Sequence, residues 1–150
     1  MEHPFLTTVH DIVGVTIAAP GAGTNLSFPC PVNARILPVH LSFVFTTDAN
    51  VMNRLVQVAM YDGGNNYNIG EPTNVQAAST VRNYFFNHGI ANARDILGGG
   101  SYNQVWCDLN PNCWLRFGDS IVTVIGGLQA TDAITGAVIR YYQQIIPTQG

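Results

Sequence analysis

An all-β fold, an antiparallel β-sandwich of about eight strands in a jelly-roll-like arrangement, is predicted by three observations on this sequence. Hydrophobic residues recur with a period of two, not 3.6, through most of the chain. The residue supply is β-branched and aromatic, with 7 Phe, 6 Tyr and 2 Trp beside abundant Val, Ile and Thr. Clusters of Gly, Pro, Asn and Asp, such as Asp62-Gly63-Gly64-Asn65-Asn66 and Gly98-Gly99-Gly100, punctuate the runs. At 16.2 kDa and 47% hydrophobic residues the chain can bury one core. The expected organisation is an N-terminal arm over residues 1–11, a single sandwich domain over 12–146 and a short polar tail over 147–150.

The strands follow in order. Residues 12–18 form the first apolar run. From Leu37 onward Val39, Leu41, Phe43 and Phe45 share one face and His40, Ser42 and Val44 the other, a half-buried strand that stops at Thr47-Asp48-Ala49-Asn50. The run 52–61 places Val56, Val58 and Met60 together and ends at the Asp62 turn, which makes it an antiparallel partner of the strand before it. Further strands are expected at 75–86, 104–109, 113–117, 120–126 and 137–146. Only 89–97, with Ile90, Ala93, Arg94 and Leu97, has helical spacing, for about two turns.

Charge says most about the class of function. All six cationic side chains are arginines, and Asp, Glu, Lys and Arg make up only 10% of the chain, against roughly a quarter in an ordinary soluble domain. Lysine is depleted and arginine enriched where protein meets protein, because an ammonium is strongly hydrated while a guanidinium stacks and forks into carboxylates. That points to a subunit working inside an assembly. A net charge of −3 without a basic run leaves nothing to hold a phosphate backbone, so nucleic acid is not an expected partner. No run is long and apolar enough for a membrane span, and Met1-Glu2-His3-Pro4 has no signal-peptide pattern. Membrane association is not expected, and assembly in a cytoplasm is.

Candidate chemistry is sparse. His3, His10, His40 and His88 are scattered and lack metal-ligand spacing with Cys30, Cys107 and Cys113, so neither a metal nor a cofactor is expected. The cysteines read as free buried thiols, with a Cys107–Cys113 bridge across Asn110-Pro111-Asn112 left open by spacing. No serine stands in a nucleophile elbow. The only glutamates are Glu2 and Glu71, while Asp48, Asp62, Asp119 and Asp132 sit at turns where a carboxylate caps backbone N–H groups. No catalytic residue is nominated and no enzyme is expected.

Binding residues are easier to nominate. In the last strand Ala137, Ile139, Tyr141, Gln143 and Ile145 alternate with Val138, Arg140, Tyr142, Gln144 and Ile146. Neither set is a simple solvent face, which fits a strand with its own core on one side and a second chain on the other. An ordinary strand with snorkelling Arg and Tyr accounts for it equally well. The candidate partner surface is Arg140, Tyr142, Gln144 and Ile146 together with Phe5 and Leu6 of the arm. The alternative is a glycan site, in which Trp106 and Trp114, on either side of the Cys107–Cys113 turn, stack on sugar rings.

Two segments, Phe45-Thr46-Thr47-Asp48-Ala49-Asn50-Val51-Met52-Asn53-Arg54 and Trp114-Leu115-Arg116-Phe117-Gly118-Asp119-Ser120-Ile121 continuing through Gln129-Ala130-Thr131-Asp132-Ala133-Ile134, resemble small β-sandwich structural proteins of tailed bacteriophages. The resemblance covers about half the chain, is one of pattern, and carries no catalytic residues. It implies a capsid decoration or cement protein, a virion component on the capsid surface that binds the major capsid protein from outside and stabilises the head. A homo-oligomer, a trimer at local threefold positions, is the expected state. A glycan- or host-binding module of a phage fibre or tail is the alternative.

Overall fold

A computed structural model describes residues 11–72, 74–89, 94–96, 103–109 and 113–147. It contains ten strands: β1 (Asp11–Ile17), β2 (Ser27–Pro29), β3 (Ala34–Thr46), β4 (Leu55–Tyr61), β5 (Asn66–Gly70), β6 (Val81–Asn87), β7 (Arg94–Ile96), β8 (Asn103–Asp108), β9 (Ser120–Gly126) and β10 (Ala133–Ile145). They form a six-stranded sheet in the order β1-β10-β3-β6-β8-β7 and a four-stranded sheet in the order β2-β9-β4-β5. The two sheets pack face to face, and the fold is an all-β sandwich, as the period-two pattern predicts. No helix occurs among the described residues.

Most connections change sheet. The chain runs from β1 across to β2, back to β3, across to β4 and its hairpin partner β5, and back to β6. After the β7–β8 hairpin it crosses to β9 and returns to β10. Crossing connections let neighbouring segments supply opposite walls of one core, and among the described strand pairs only β6–β8 is parallel, with β7 between the two in sequence.

The core follows the alternation. Leu41, Phe43 and Phe45 of β3, Tyr84 and Phe86 of β6, and Ile134, Ala137, Ile139 and Tyr141 of β10 point inward from one sheet. Val56, Val58 and Met60 of β4 and Ile121 and Ile125 of β9 meet them from the other. Phe43 stacks between Tyr84 and Phe86 at centroid separations of 5.4 and 6.1 Å. Truncating such a ring leaves a void costing about 3–5 kcal/mol.

Pro38 lies within β3, a central strand, yet it can donate no ladder hydrogen bond. β3 changes partner on one side there: His40 pairs with Asn87 of β6, while Ile36 exchanges hydrogen bonds of 3.0 and 2.8 Å with Leu115. The missing N–H falls in the gap. On the other side a register shift between Arg140 and Tyr141 falls at the same place, and the inward parity of β3 moves from Ala34 and Ile36 to Leu41, Phe43 and Phe45. Val39 is thus only half-buried and does not share the face of Leu41, as strict alternation predicted.

Four features differ from the sequence expectation. The runs from Leu37 and over 52–61, expected to pair with each other, fall in different sheets: β3 pairs with β10 and β6, while β4 pairs with β5 across the Asp62 turn and with β9. Residues 94–96, predicted helical, are the short strand β7, since pairing with β8 satisfies backbone groups that a two-turn helix would leave open; residues 90–93 and 97 of that prediction lie outside the described residues. The predicted strand 113–117 is reduced to the single bridge at Leu115. The predicted strand 75–86 begins only at Val81, because Gln76 turns inward. Gln76 is fully buried, exchanges backbone hydrogen bonds with Arg54, gives its amide to the Phe45 carbonyl and accepts from the Tyr84 hydroxyl at 2.9 Å. Such a satisfied polar plug holds a loop in place of a ladder.

Candidate functional site

Buried charge comes first, because it defines the frame on which the surfaces stand. Arg54, 0% exposed, precedes β4 and is held by the β3–β4 and β9–β10 loops. Its Nε and Nη2 donate to the two oxygens of Asp132, each at 3.0 Å, and Nη2 also reaches Asp48 at 2.5 Å. Nη1 donates to the carbonyls of Asn50 and Met52. Asp132, 1% exposed, accepts further N–H bonds from Asp48 and Gln129, both at 2.8 Å. Burial pushes the Asp132 carboxyl up, but Arg54 and the two N–H groups outweigh it and hold it below the usual range. Asp48 is lowered chiefly by the Thr131 hydroxyl, with Asn50 and Arg54 adding to it. Segments 45–54 and 114–134 meet in this network. Its groups are saturated, so it is architecture, not chemistry.

The outer face of the six-stranded sheet is the first candidate surface. Register places cross-strand rows on it. Ile12, Tyr142 and Leu37 form one row; Gly14, Arg140, His40, Asn87 and Asp108 a second; Thr16, Val138, Ser42, Phe85 and Trp106 a third. Ile12 is 60% exposed, and Phe85 and Trp106 stack with centroids 4.5 Å apart and planes 17° from parallel. Arg140 and Asp108 are exposed at opposite ends of the middle row, and neither makes an ion pair with a described residue. Between them the His40 Nδ1 meets the Asn87 side-chain oxygen. A large antiparallel sheet ordinarily turns a polar side to solvent. Here Ile12, Leu37, Tyr142, Val138, Phe85 and Trp106 lie on the outer side around a row with a cation toward one end and an anion at the other, while a further row, Thr135, Val44, Asn83 and Gln104, is mostly polar.

The second candidate is a cleft of about 770 Å³ at the end of the sandwich where β3 begins and β10 ends. Arg35 and Arg116, Asp62 and Asp119, and the rings of Tyr67 and Trp114 line it. Gln144 lines it too, paired across the sheet with Arg35 one pleat beyond the Tyr142–Leu37 row, so the cleft adjoins the outer face. Each carboxylate commits one oxygen to a turn: Asp62 Oδ1 accepts the Gly64 and Asn65 N–H groups at 2.9 and 2.7 Å, and Asp119 Oδ2 accepts the Arg116 N–H at 2.8 Å. This is the turn-capping role that the spacing of these aspartates predicts. Burial, with the nearby Asp119, Cys113 and Asp62 and a hydrogen bond to Cys113, pushes the Tyr67 hydroxyl up to about 12.

The predicted partner residues divide between these surfaces. Arg140 and Tyr142 lie on the outer face, Gln144 in the cleft wall, and Ile146 just beyond β10, 43% exposed with its N–H on the Asn33 carbonyl at 2.8 Å. Phe5 and Leu6 lie outside the described residues. Trp106 and Trp114, predicted to act together, belong to different surfaces, the outer face and the cleft. Sequence reasoning missed Leu37, Phe85 and Asp108 on the face and Arg35, Asp62, Arg116 and Asp119 in the cleft. Tyr84-Phe85-Phe86 held a signal: in a strand with two buried aromatics, the one between them must point the other way. Cys30, Cys107 and Cys113 are buried free thiols. No group of three His, Cys, Asp or Glu among the described residues is arranged to hold a metal ion.

Comparison of the chain with protein-family models, with curated proteins and with solved structures finds no match in any of the three.

Proposed function

We propose that the protein is a non-enzymatic structural subunit that assembles with copies of itself through the outer face of the six-stranded sheet. The assembled ring, a trimer, decorates the outside of a bacteriophage head as a cement protein bound to the major capsid protein. One observation carries the self-association: the outer face sets the apolar side chains Ile12, Leu37, Tyr142, Val138, Phe85 and Trp106 beside a row that carries Arg140 toward one side and Asp108 on the other. The two ends of such a face complement each other, so a head-to-tail contact can repeat from copy to copy and close as a ring. Arg140 of one copy meets Asp108 of the next, and the apolar side chains exclude water around the pair.

The decoration reading rests on the bacteriophage resemblance of residues 45–54 and 114–134 and on the lysine-free, arginine-bearing composition. The sandwich end near the cleft supports it with a second apolar surface, since Val32, Phe117, Ile145 and Ile146 are all exposed there. One face for self-contact and one end for the lattice is what a cement protein needs, and binding only the assembled shell stabilises that shell by mass action. The strand order, with its repeated sheet changes, is compatible with a jelly roll, an architecture common among capsid proteins. Sedimentation equilibrium tests the oligomer, and electron cryomicroscopy of native particles tests the location. A trimer in symmetry-matched amounts on the capsid surface supports the proposal. A chain that stays monomeric at every concentration and is absent from particles refutes it.

A further inference from the structure

We infer that the cleft between Arg35, Tyr67, Trp114 and Asp119 is a binding site for a neutral saccharide of one or two rings. Its volume, about 770 Å³, lies within the roughly 300–1,000 Å³ of small-molecule sites. The lining narrows the ligand class by elimination. Two guanidinium groups oppose a cation, two carboxylates oppose a phosphate or polyanion, and the charges of the four together cancel. A wall so rich in charged and amide groups does not suit a hydrocarbon, whose burial would leave those groups without water or partner.

A sugar ring fits what remains. It has apolar C–H faces that stack on aromatic rings and a rim of hydroxyls that both donate and accept. The cleft supplies both kinds of contact. Trp114 and Tyr67 are half-buried ring surfaces on its wall. Arg35 and Arg116 are donors, and Gln144 can donate and accept. The carboxylates are built in as fixed acceptors. The turn hydrogen bonds hold Asp62 by Oδ1 and Asp119 by Oδ2, and the other oxygen of each makes no hydrogen bond to a described residue. Pre-oriented acceptors of this kind spare a ligand the entropy of ordering them. The site does not depend on self-association, because all of these groups belong to one chain.

The test is a broad printed array of neutral and acidic glycans, followed by titration of the protein with the neutral oligosaccharides that score, or with lactose, maltose, cellobiose and N,N′-diacetylchitobiose when none scores. Binding is read from the indole N–H resonance of Trp114. Saturable binding of at least one neutral sugar is expected, weakened at least tenfold by Trp114→Ala and by Arg35→Gln and unaffected by Trp106→Ala. Arg35 is exposed and makes no hydrogen bond or ion pair to a described residue, so its variant keeps the test alive if Trp114→Ala fails to fold. Absence of saturable binding throughout, binding confined to acidic glycans, or binding indifferent to Trp114→Ala and Arg35→Gln overturns the inference. Sedimentation of the same variants reports self-association separately, so loss of one property is never read as loss of the other.

Discussion

Charge exchange between Arg140 and Asp108 should separate self-association from folding. The two residues sit in one cross-strand row on β10 and β8, with β3 and β6 between them. Three strand spacings of about 4.8 Å place the two strands roughly 14 Å apart, well beyond the screening length of about 8 Å at physiological salt. Within one chain the two charges therefore barely interact, and both are exposed, so reversing either should leave the isolated fold intact. Across a contact between copies the arithmetic differs. Truncating one partner of a desolvated charge pair costs about 2–5 kcal/mol, and reversal adds like-charge repulsion. At about 1.4 kcal/mol per decade, even the lower figure weakens association some thirtyfold per contact.

Arg140→Glu alone and Asp108→Arg alone should therefore shift sedimentation velocity profiles toward monomer across a dilution series. The double variant Arg140→Glu/Asp108→Arg rebuilds the pair with its sign reversed and should return the profile to that of the parent. Melting temperatures of all three should stay close together under conditions where each is monomeric. Single variants that assemble as the parent does, or a folded double variant that stays monomeric, would refute the assignment of this face.

Other consequences are more local. Arg54→Ala leaves Asp132 buried without its counter-ion, a loss of about 3–5 kcal/mol visible as a melting temperature lower by roughly 10 °C; an unchanged melting temperature would show the network to be ornamental. Because the folded Asp132 and Asp48 carboxyls lie below their unfolded values, their stabilisation is present above about pH 4 and is lost as pH falls through the folded values, and Arg54→Ala should shrink that acid-side loss in a melting series. Gly127→Ala, at φ +75° with its new Cβ 2.5 Å from the Asn53 carbonyl oxygen, should cost about 1–3 kcal/mol in denaturant titration. Cys30, Cys107 and Cys113 should be inert to a thiol reagent until denaturation and then titrate together, with the native melting temperature indifferent to reducing agent; a shift above about 10 °C on reduction would point to a Cys107–Cys113 bridge.

What the sequence revealed and concealed has a common physical cause. Strands whose two faces meet different media advertise themselves, and β9, with Ile121 and Ile125 buried and Val122 and Val124 only half so, is found at the predicted bounds 120–126. Short strands do not. β2 has three residues, and β5 is made of Asn66, Tyr67, Asn68, Ile69 and Gly70, so neither offers a period to detect. Local spacing also failed at 94–96, where pairing with β8 overrides it. The candidate surfaces were concealed for a third reason: each is a sum over strands distant in sequence. Leu37, Phe85 and Trp106 become neighbours of Val138 and Tyr142 only once β3, β6, β8 and β10 are in register, and the cleft gathers Arg35, Asp62, Asp119 and Gln144 from four separate segments. The last strand was the exception, because its mixed outer face was visible within one segment. That mixture gains its meaning from the neighbours: under the proposed self-association, Arg140, set among apolar side chains and across the sheet from Asp108, is one half of a contact whose other half a second copy of the chain carries.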